Sequence, residues 1–289
     1  MSDYPKISIV TPVYNRAQYL EQTILSVLNQ GYPNLEYIII DGGSTDGTLD
    51  IIKKYESQLT YWSSEPDKGM YYAIQKGFDK ASGDIMAWLN SDDMYHLDSL
   101  IVVADIFSTL QTVEWIMGTP SFFNKEGQCV KVFTTPKWSK QRFVAGDYRW
   151  IQQESTFWRK SLWEKEGSII DVNYKFAADF ELWSSFFDFA KLFSVNTVLS
   201  GFRIHGDQLS LNNNLQYENE VKDIYQKRYK FKPSISEKLM VQLYKLNQVC
   251  LNSGLFLGVI GQIISLVLKK KYKLPKTIYY NFETNKWVM

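Results

Sequence analysis

A chain of 289 residues has room for one large domain or two modest ones. With 45% hydrophobic and 22% charged residues it can bury a substantial core, which excludes wholesale disorder. The net charge of +1 conceals a division: residues 211–289 carry 13 Lys and Arg against 5 Asp and Glu (+8), leaving 19 against 26 (−7) in residues 1–210. A basic tail on an acidic body faces something anionic, nucleic acid or the inner leaflet of a membrane.

In chain order, MSDYPKISIV lacks the basic start and long apolar run of a signal peptide. KISIVTPVYN reads as an apolar strand ending in a turn. AQYLEQTILSVLNQ has helical spacing at Leu20, Ile24, Val27 and Leu28 and stops at Gly31. LEYIIIDGGSTDGT repeats the unit, with Ser44 or Thr45 capping a helix through Tyr55. LTYWSSE, GMYYAIQKGFDKA and DIMAWLNSDD supply further strands and a helix. Apolar strands separated by single helices imply an α/β fold, a mostly parallel sheet covered on both faces. Ligands of such sheets bind beyond the carboxyl ends of the strands. Four polar segments fall there: Thr11 to Asn15, Asp41 to Ser44, Glu65 to Lys68 and Asn90 to Asp93.

Past about residue 113 the alternation loosens. VEWIMGTPSFF and CVKVF, around a turn at Lys125-Glu126-Gly127, read as antiparallel strands; a helix near Asp179 to Ala190 and a strand KLFSVNTVLSGFRIH follow. From about Asn213 the chain reads as helical. In residues 253–268, Gly254, Gly258, Gly261, Gln262 and Ser265 share one helical face and large apolar residues the other, with Lys269 to Lys271 just after. That stripe fits a helix at a membrane interface, a core helix, or a short span. Aromatic residues at 16% suit stacking surfaces, membrane contact or an aromatic core. Cys129 and Cys250, far apart and without metal-ligand spacing, read as free thiols of a reducing cytosol.

Asp92 and Asp93, adjacent at a strand exit, suit a divalent cation that also holds phosphate oxygens, or a helix cap. Asp41 ends a run of three isoleucines, where a buried carboxylate needs a partner: a local cap, or a ligand N–H such as the ring N–H of uracil or guanine. The backbone of Thr11 and Pro12 ends the neighbouring strand beside the same base. Together these residues describe a nucleotide site.

SIVTPVYNRAQYLEQTILSVLNQ, EYIIIDGGSTDGT, EPDKGMYYAIQKG and AWLNSDD resemble, in order and spacing, the N-terminal half of family 2 glycosyltransferases, inverting nucleotide-sugar enzymes of the GT-A fold. QESTFWRKSLWEKEG, NYKFAADFELW and FRIHGDQLS look like the family's acceptor-side motifs, so the resemblance covers about residues 5–210. It implies a GT-A domain over 1–210, its nucleotide half about 5–112 and its acceptor half about 113–210, with a basic helical extension over 211–289. By motif match, Thr11, Pro12 and Asp41 hold the base, Asp92 contacts the ribose or a metal-bound water, and Asp93 ligates Mn²⁺ or Mg²⁺. His205 stands near the diphosphate as a possible metal ligand, and Lys68 could meet a phosphate. Asp179 matches the general base, while Glu181 is read as surface or structural.

The chain departs from the family pattern at Asp41-Gly42-Gly43-Ser44, where relatives commonly have Asp-Asp-Gly-Ser, and at Ala178, where Glu is usual. Arg149-Trp150 precedes the base rather than following it, with Gly146 in place of Gln, which argues against a processive polymerase. The resemblance therefore implies a non-processive hexosyl- or N-acetylhexosaminyltransferase using a nucleotide-sugar, UDP-linked by preference. Its acceptor is expected to be a polyprenyl-diphosphate-linked saccharide of capsule, O-antigen or exopolysaccharide synthesis. The enzyme is expected in the cytoplasm, peripheral on the inner membrane face. Nucleic acid is not an expected partner, since no recognition module is visible. The alternatives are a non-catalytic nucleotide- or partner-binding protein of the same fold, and a sugar-nucleotide pyrophosphorylase, whose Gly-rich phosphate loop Pro12 to Arg16 does not match.

Overall fold

The computed structural model describes residues 4–146, 151–206, 208, 213–229, 242, 246, 266 and 271–289. Its elements are β1 (Ile7–Val13), α1 (Ala17–Leu28), β2 (Leu35–Asp41), α2 (Thr48–Tyr55), β3 (Tyr61–Ser64), α3 (Met70–Phe78), β4 (Ile85–Trp88) and β5 (Met94–Tyr95). Then come α4 (Ser99–Thr109), β6 (Trp115–Met117), β7 (Ser121–Phe123), β8 (Cys129–Val132), α5 (Lys140–Val144), β9 (Thr156–Arg159) and α6 (Lys160–Glu166). The last are α7 (Ala178–Phe189), β10 (Leu192–Ser194), β11 (Ser200–Arg203), α8 (Asn214–Tyr229), β12 (Tyr279–Asn281) and β13 (Lys286–Val288).

Seven strands form the central sheet in the order β10–β6–β9–β4–β1–β2–β3. Its pairs are parallel except where β9 runs against both β4 and β6. β1 and β2 are buried almost throughout, as a parallel sheet covered on both faces requires. Val13, Asp41 and Ser64 lie in register across β1, β2 and β3, so three strands end at one level. On the other side β1 and β4 part after the Leu89 N–H bonds Val10 O. Pro12, which has no N–H to leave unpaired, sits where that ladder opens. The order of the strands reverses here, and a crevice is expected at such a point.

The aromatic residues explain themselves in the core. Trp88 and Trp183 stack with centroids 5.6 Å apart, and Trp115, Trp158, Phe78 and Phe186 meet them edge-on, tilted or stacked. The pleated faces of β4, β6 and β9 supply three of these indoles and α7 the fourth.

Several expected elements differ. VEWIMGTPSFF divides: β6 joins the central sheet, while β7 pairs antiparallel with β8 in a second sheet ordered β5–β11–β7–β8. KLFSVNTVLSGFRIH divides likewise into β10 and β11, one in each sheet. Periodicity shows a strand but not which sheet it enters. Neither Ser44 nor Thr45 caps α2, which starts at Thr48 after Gly47. The C-terminal region is not a purely helical extension: it ends in the β12–β13 hairpin. Ile278 bridges Val195 in parallel and is wholly buried, and Trp287 is buried as well, so the chain's end belongs to the core. Among the described residues no helix is long and apolar enough to cross a membrane. Apart from Leu266, the striped segment 253–268 lies outside the described residues, as do Cys250 and Arg149-Trp150.

The two loops that follow β1 and β2 are laced together. Asp46 accepts from the N–H of Ala17, the first residue of α1, and from both the N–H and the hydroxyl of Thr48. Thr48 Oγ1 in turn accepts from Arg16 N–H, and Asn15 Oδ1 from Thr45 N–H. Asp46 thus supplies the start of α1, from another loop, with the acceptor that Arg16 itself cannot provide. Asp46→Ala should lower unfolding free energy by about 0.5–2 kcal/mol, the usual cost of losing a cap. Denaturant unfolding of the two proteins measures it, and an unchanged midpoint would show that the lacing contributes nothing.

Candidate active site

At the end of β2, Asp41 is completely buried. One oxygen accepts from the Ser44 hydroxyl. The other accepts from Gly43 N–H (3.0 Å), Ser44 N–H (2.9 Å) and the Ser64 hydroxyl (2.6 Å). Ser44 Oγ also receives the Asn15 N–H at 2.7 Å. Of the two roles open to Asp41 from the sequence, the local cap is the one the structure displays. Thr11 is buried too, its hydroxyl against Tyr37 OH at 3.2 Å, so only its backbone is at hand for a base. Tyr14, 61% exposed directly after β1, is an aromatic face on this rim that sequence reasoning passed over.

The acidic pair after β4 splits in direction. Asp93 is buried, accepting from Arg203 N–H at 2.9 Å and from the Asn90 amide at 3.3 Å. Burial, then the charges of Glu154 and Asp92, push its carboxyl well above the usual range. Asp92 is partly exposed, with Oδ2 3.1 Å from His205 Nε2 and 3.7 Å from Arg16 Nε. The expected ligand pair Asp93 and His205 is therefore not the pair that meets: His205 faces Asp92. Among the described residues no three His, Cys, Asp or Glu side chains gather as a metal cage. The donors present fit a cation of the Mg²⁺ or Mn²⁺ kind, since Asp92 Oδ2 and His205 Nε2 converge and such ions take one or two protein ligands with phosphate oxygens and water.

Glu154, in the QES turn before β9, is buried with Oε1 unpartnered. Burial raises its carboxyl to about 8, and the charges of Asp92 and Asp179 both add to the shift. It thus stands within electrostatic reach of both the acidic pair and the expected base. Asp179 opens α7, partly buried, and accepts from Tyr71 OH at 3.3 Å. Burial raises it to about 6, with Glu220 contributing further. Glu220, on α8, accepts the N–H groups of Lys175, Phe176 and Ala177, and so caps α7 from a distant segment. Glu181 pairs with Arg228 of α8 at 3.0 Å, the structural role expected of it. Lys68 is exposed, its ammonium 5.8 Å from the Tyr72 ring centroid. Tyr71, Arg16, Glu154 and Glu220 were missed in the sequence because their partners lie 43 to 108 residues away or carry no motif; only the quoted QES hinted at Glu154.

A rim of carboxylates at the switch point of a mostly parallel sheet is the setting of nucleotide-dependent group transfer. The glycosyl transferase family 2 model matches residues 8–186. The chain belongs to that family. A Bacillus subtilis (strain 168) protein named as the teichuronic acid biosynthesis glycosyltransferase TuaG is 40% identical over 99 residues, 33% of this chain and 39% of that one. In fold the chain is similar to S. aureus TarS 1–349 in complex with UDP (TM-score 0.57, 14% identity, 93% of this chain and 89% of that one). It is also similar to the mannosyltransferase PcManGT of Pyrobaculum calidifontis in complex with GDP-Man and Mn²⁺ (TM-score 0.55, 14% identity, 94% and 83%).

With Asp179 in its expected role as base and its carboxyl held near 6, transfer should gain rate as pH rises through about 6. Glu220→Gln keeps an oxygen acceptor beside α7 but removes a negative charge. It should let Asp179 ionise at lower pH, moving the acid limb of kcat/KM downward. A limb that stays in place would show that Glu220 does not bear on the base.

Proposed function

We propose that the protein transfers one sugar from a UDP-sugar, with inversion, to a saccharide hydroxyl in the synthesis of a cell-surface polysaccharide. The observation that supports this reading is that the buried Glu154 carboxyl feels the charges of both Asp92, expected on the donor side, and Asp179, expected as the base. The names of TuaG and of the UDP complex of TarS support the polysaccharide and the donor class.

The acceptor hydroxyl gives its proton to Asp179 as its oxygen attacks the anomeric carbon from the face opposite the diphosphate. The C–O bond to the nucleoside diphosphate breaks, and its electron pair leaves with that group. A single displacement inverts the centre and needs no protein nucleophile. Tyr71 fixes the carboxylate that takes the proton. Asp92 and His205 would hold the cation, with Asp93 anchoring from behind, through Arg203 N–H, the turn that presents His205. A divalent cation bound there stabilises the leaving diphosphate as a Lewis acid. Arg16, beside Asp92, is better placed than Lys68 to meet the same phosphates. Tyr14 offers the base a ring to stack on. The +8 tail fits an acceptor carried on a polyprenyl diphosphate at the inner membrane surface, with the protein peripheral to it.

Asp179→Asn should cut transfer by roughly 10²–10⁴-fold, the usual range for a general base, while UDP affinity stays within about twofold. Asp92→Ala should instead weaken metal-dependent UDP binding. Near-normal turnover in Asp179→Asn, measured with purified donor and membrane acceptor, would remove the base from its assigned role.

A further inference from the structure

We infer that Asp67, from the loop after β3, and not Asp41, is the carboxylate that accepts the ring N–H of the nucleotide base. The inference rests on the rim being the nucleotide site, and names the residue that reads the base there.

A carboxylate offers about four lone-pair positions. Asp41 already meets four donors inside the protein and has no exposed surface. Three of the four crowd Oδ2, and with no exposed surface the remaining lone pair of Oδ1 is closed to a base. The residue after it, Gly42, has no side chain, and the space beside it is taken by Asp67. A Cβ built on Gly42 would lie 3.1 Å from Asp67 Oδ2 and 3.3 Å from both Cγ and Oδ1. The second glycine serves the same approach: a Cβ on Gly43 would lie 3.1 Å from Pro66 N. The Gly-Gly pair thus lets the Pro66-Asp67 loop settle on the end of β2, where Glu65 N–H bonds Asp41 O at 3.0 Å.

Asp67 is exposed, and among the described residues its one hydrogen bond is from Gly69 N–H to Oδ1 at 2.8 Å. Oδ2 keeps its lone pairs. Gly42 N–H bonds Val13 O, so Gly42 and the exposed Tyr14 leave adjacent strands at one opening. A base lying on the Tyr14 ring presents its edge toward Asp67. Uracil N3–H and guanine N1–H are donors that a carboxylate accepts. Cytosine has only a lone pair at N3, which a carboxylate repels.

The test is calorimetric titration of the full chain with UDP, GDP and CDP in Mn²⁺, for the wild type, Asp67→Ala and Asp67→Asn, with melting temperatures alongside. The wild type should bind UDP or GDP and discriminate against CDP. Asp67→Ala should weaken the favoured nucleotide about 10- to 100-fold, the loss expected for a hydrogen bond to a charged group, at unchanged melting temperature. Asp67→Asn should narrow the ratio to CDP, because an amide can turn either its oxygen or its NH₂ to the ring. A wild-type preference over CDP that survives unchanged in both variants would overturn the inference, as would a wild type indifferent to the base. A wild type that binds none of the three overturns instead the reading of the rim as a nucleotide site.

Discussion

The carboxylate of Asp41 organises the rim. It gathers the backbone after β2, the hydroxyl of Ser44 and the hydroxyl of Ser64 at the end of β3, and Ser44 passes the connection on to Asn15 after β1. A wholly buried carboxylate is costly unless it is hydrogen-bonded, and here its partners come from the ends of β2 and β3, with β1 joined through Ser44. Because those partners belong to different loops, the cost of leaving any one unmade holds all three loops in one arrangement. The nucleotide rim is therefore rigid where it touches the sheet, and its exposed residues, Tyr14 and Asp67, project from a fixed base.

The strand ends were legible because an apolar run followed by polar residues marks an exit wherever the chain folds. The helix start at Asp179 was legible for a similar reason, while the residue's expected role came from the family resemblance alone. What the sequence does not display is direction. Asp92 and Asp93 are adjacent, yet one turns outward to His205 and Arg16 and the other inward to the backbone of Arg203. Asp41 looked like a ligand carboxylate because it directly follows three buried isoleucines; its four donors come from positions two, three and 23 residues on, which no local pattern announces. His205 was expected beside Asp93 and meets Asp92 for the same reason, since sheet register decides which carboxylate faces it. Glu154 is harder still, a single acid in a short turn whose importance appears only when both carboxylate sites are seen to surround it.

The C-terminal region changes meaning between sequence and structure. Charge and composition mark it as an appendage, but α8 lends Glu220 to the N-terminus of α7 and Arg228 to Glu181, while the last strands return to the core beside β10. The helix that presents Asp179 is thus finished by residues more than 40 positions downstream.

The central claim is that the rim binds a nucleoside diphosphate through a cation held at Asp92 and His205. The most direct measurement is calorimetric titration of the wild-type protein with UDP in Mn²⁺ and again in EDTA. The account predicts binding in Mn²⁺ that falls at least about tenfold when the cation is removed, as expected where the metal bridges the protein to the phosphates. Equal affinity with and without the cation would contradict the metal's place in the site, and no binding under either condition would contradict the nucleotide site itself.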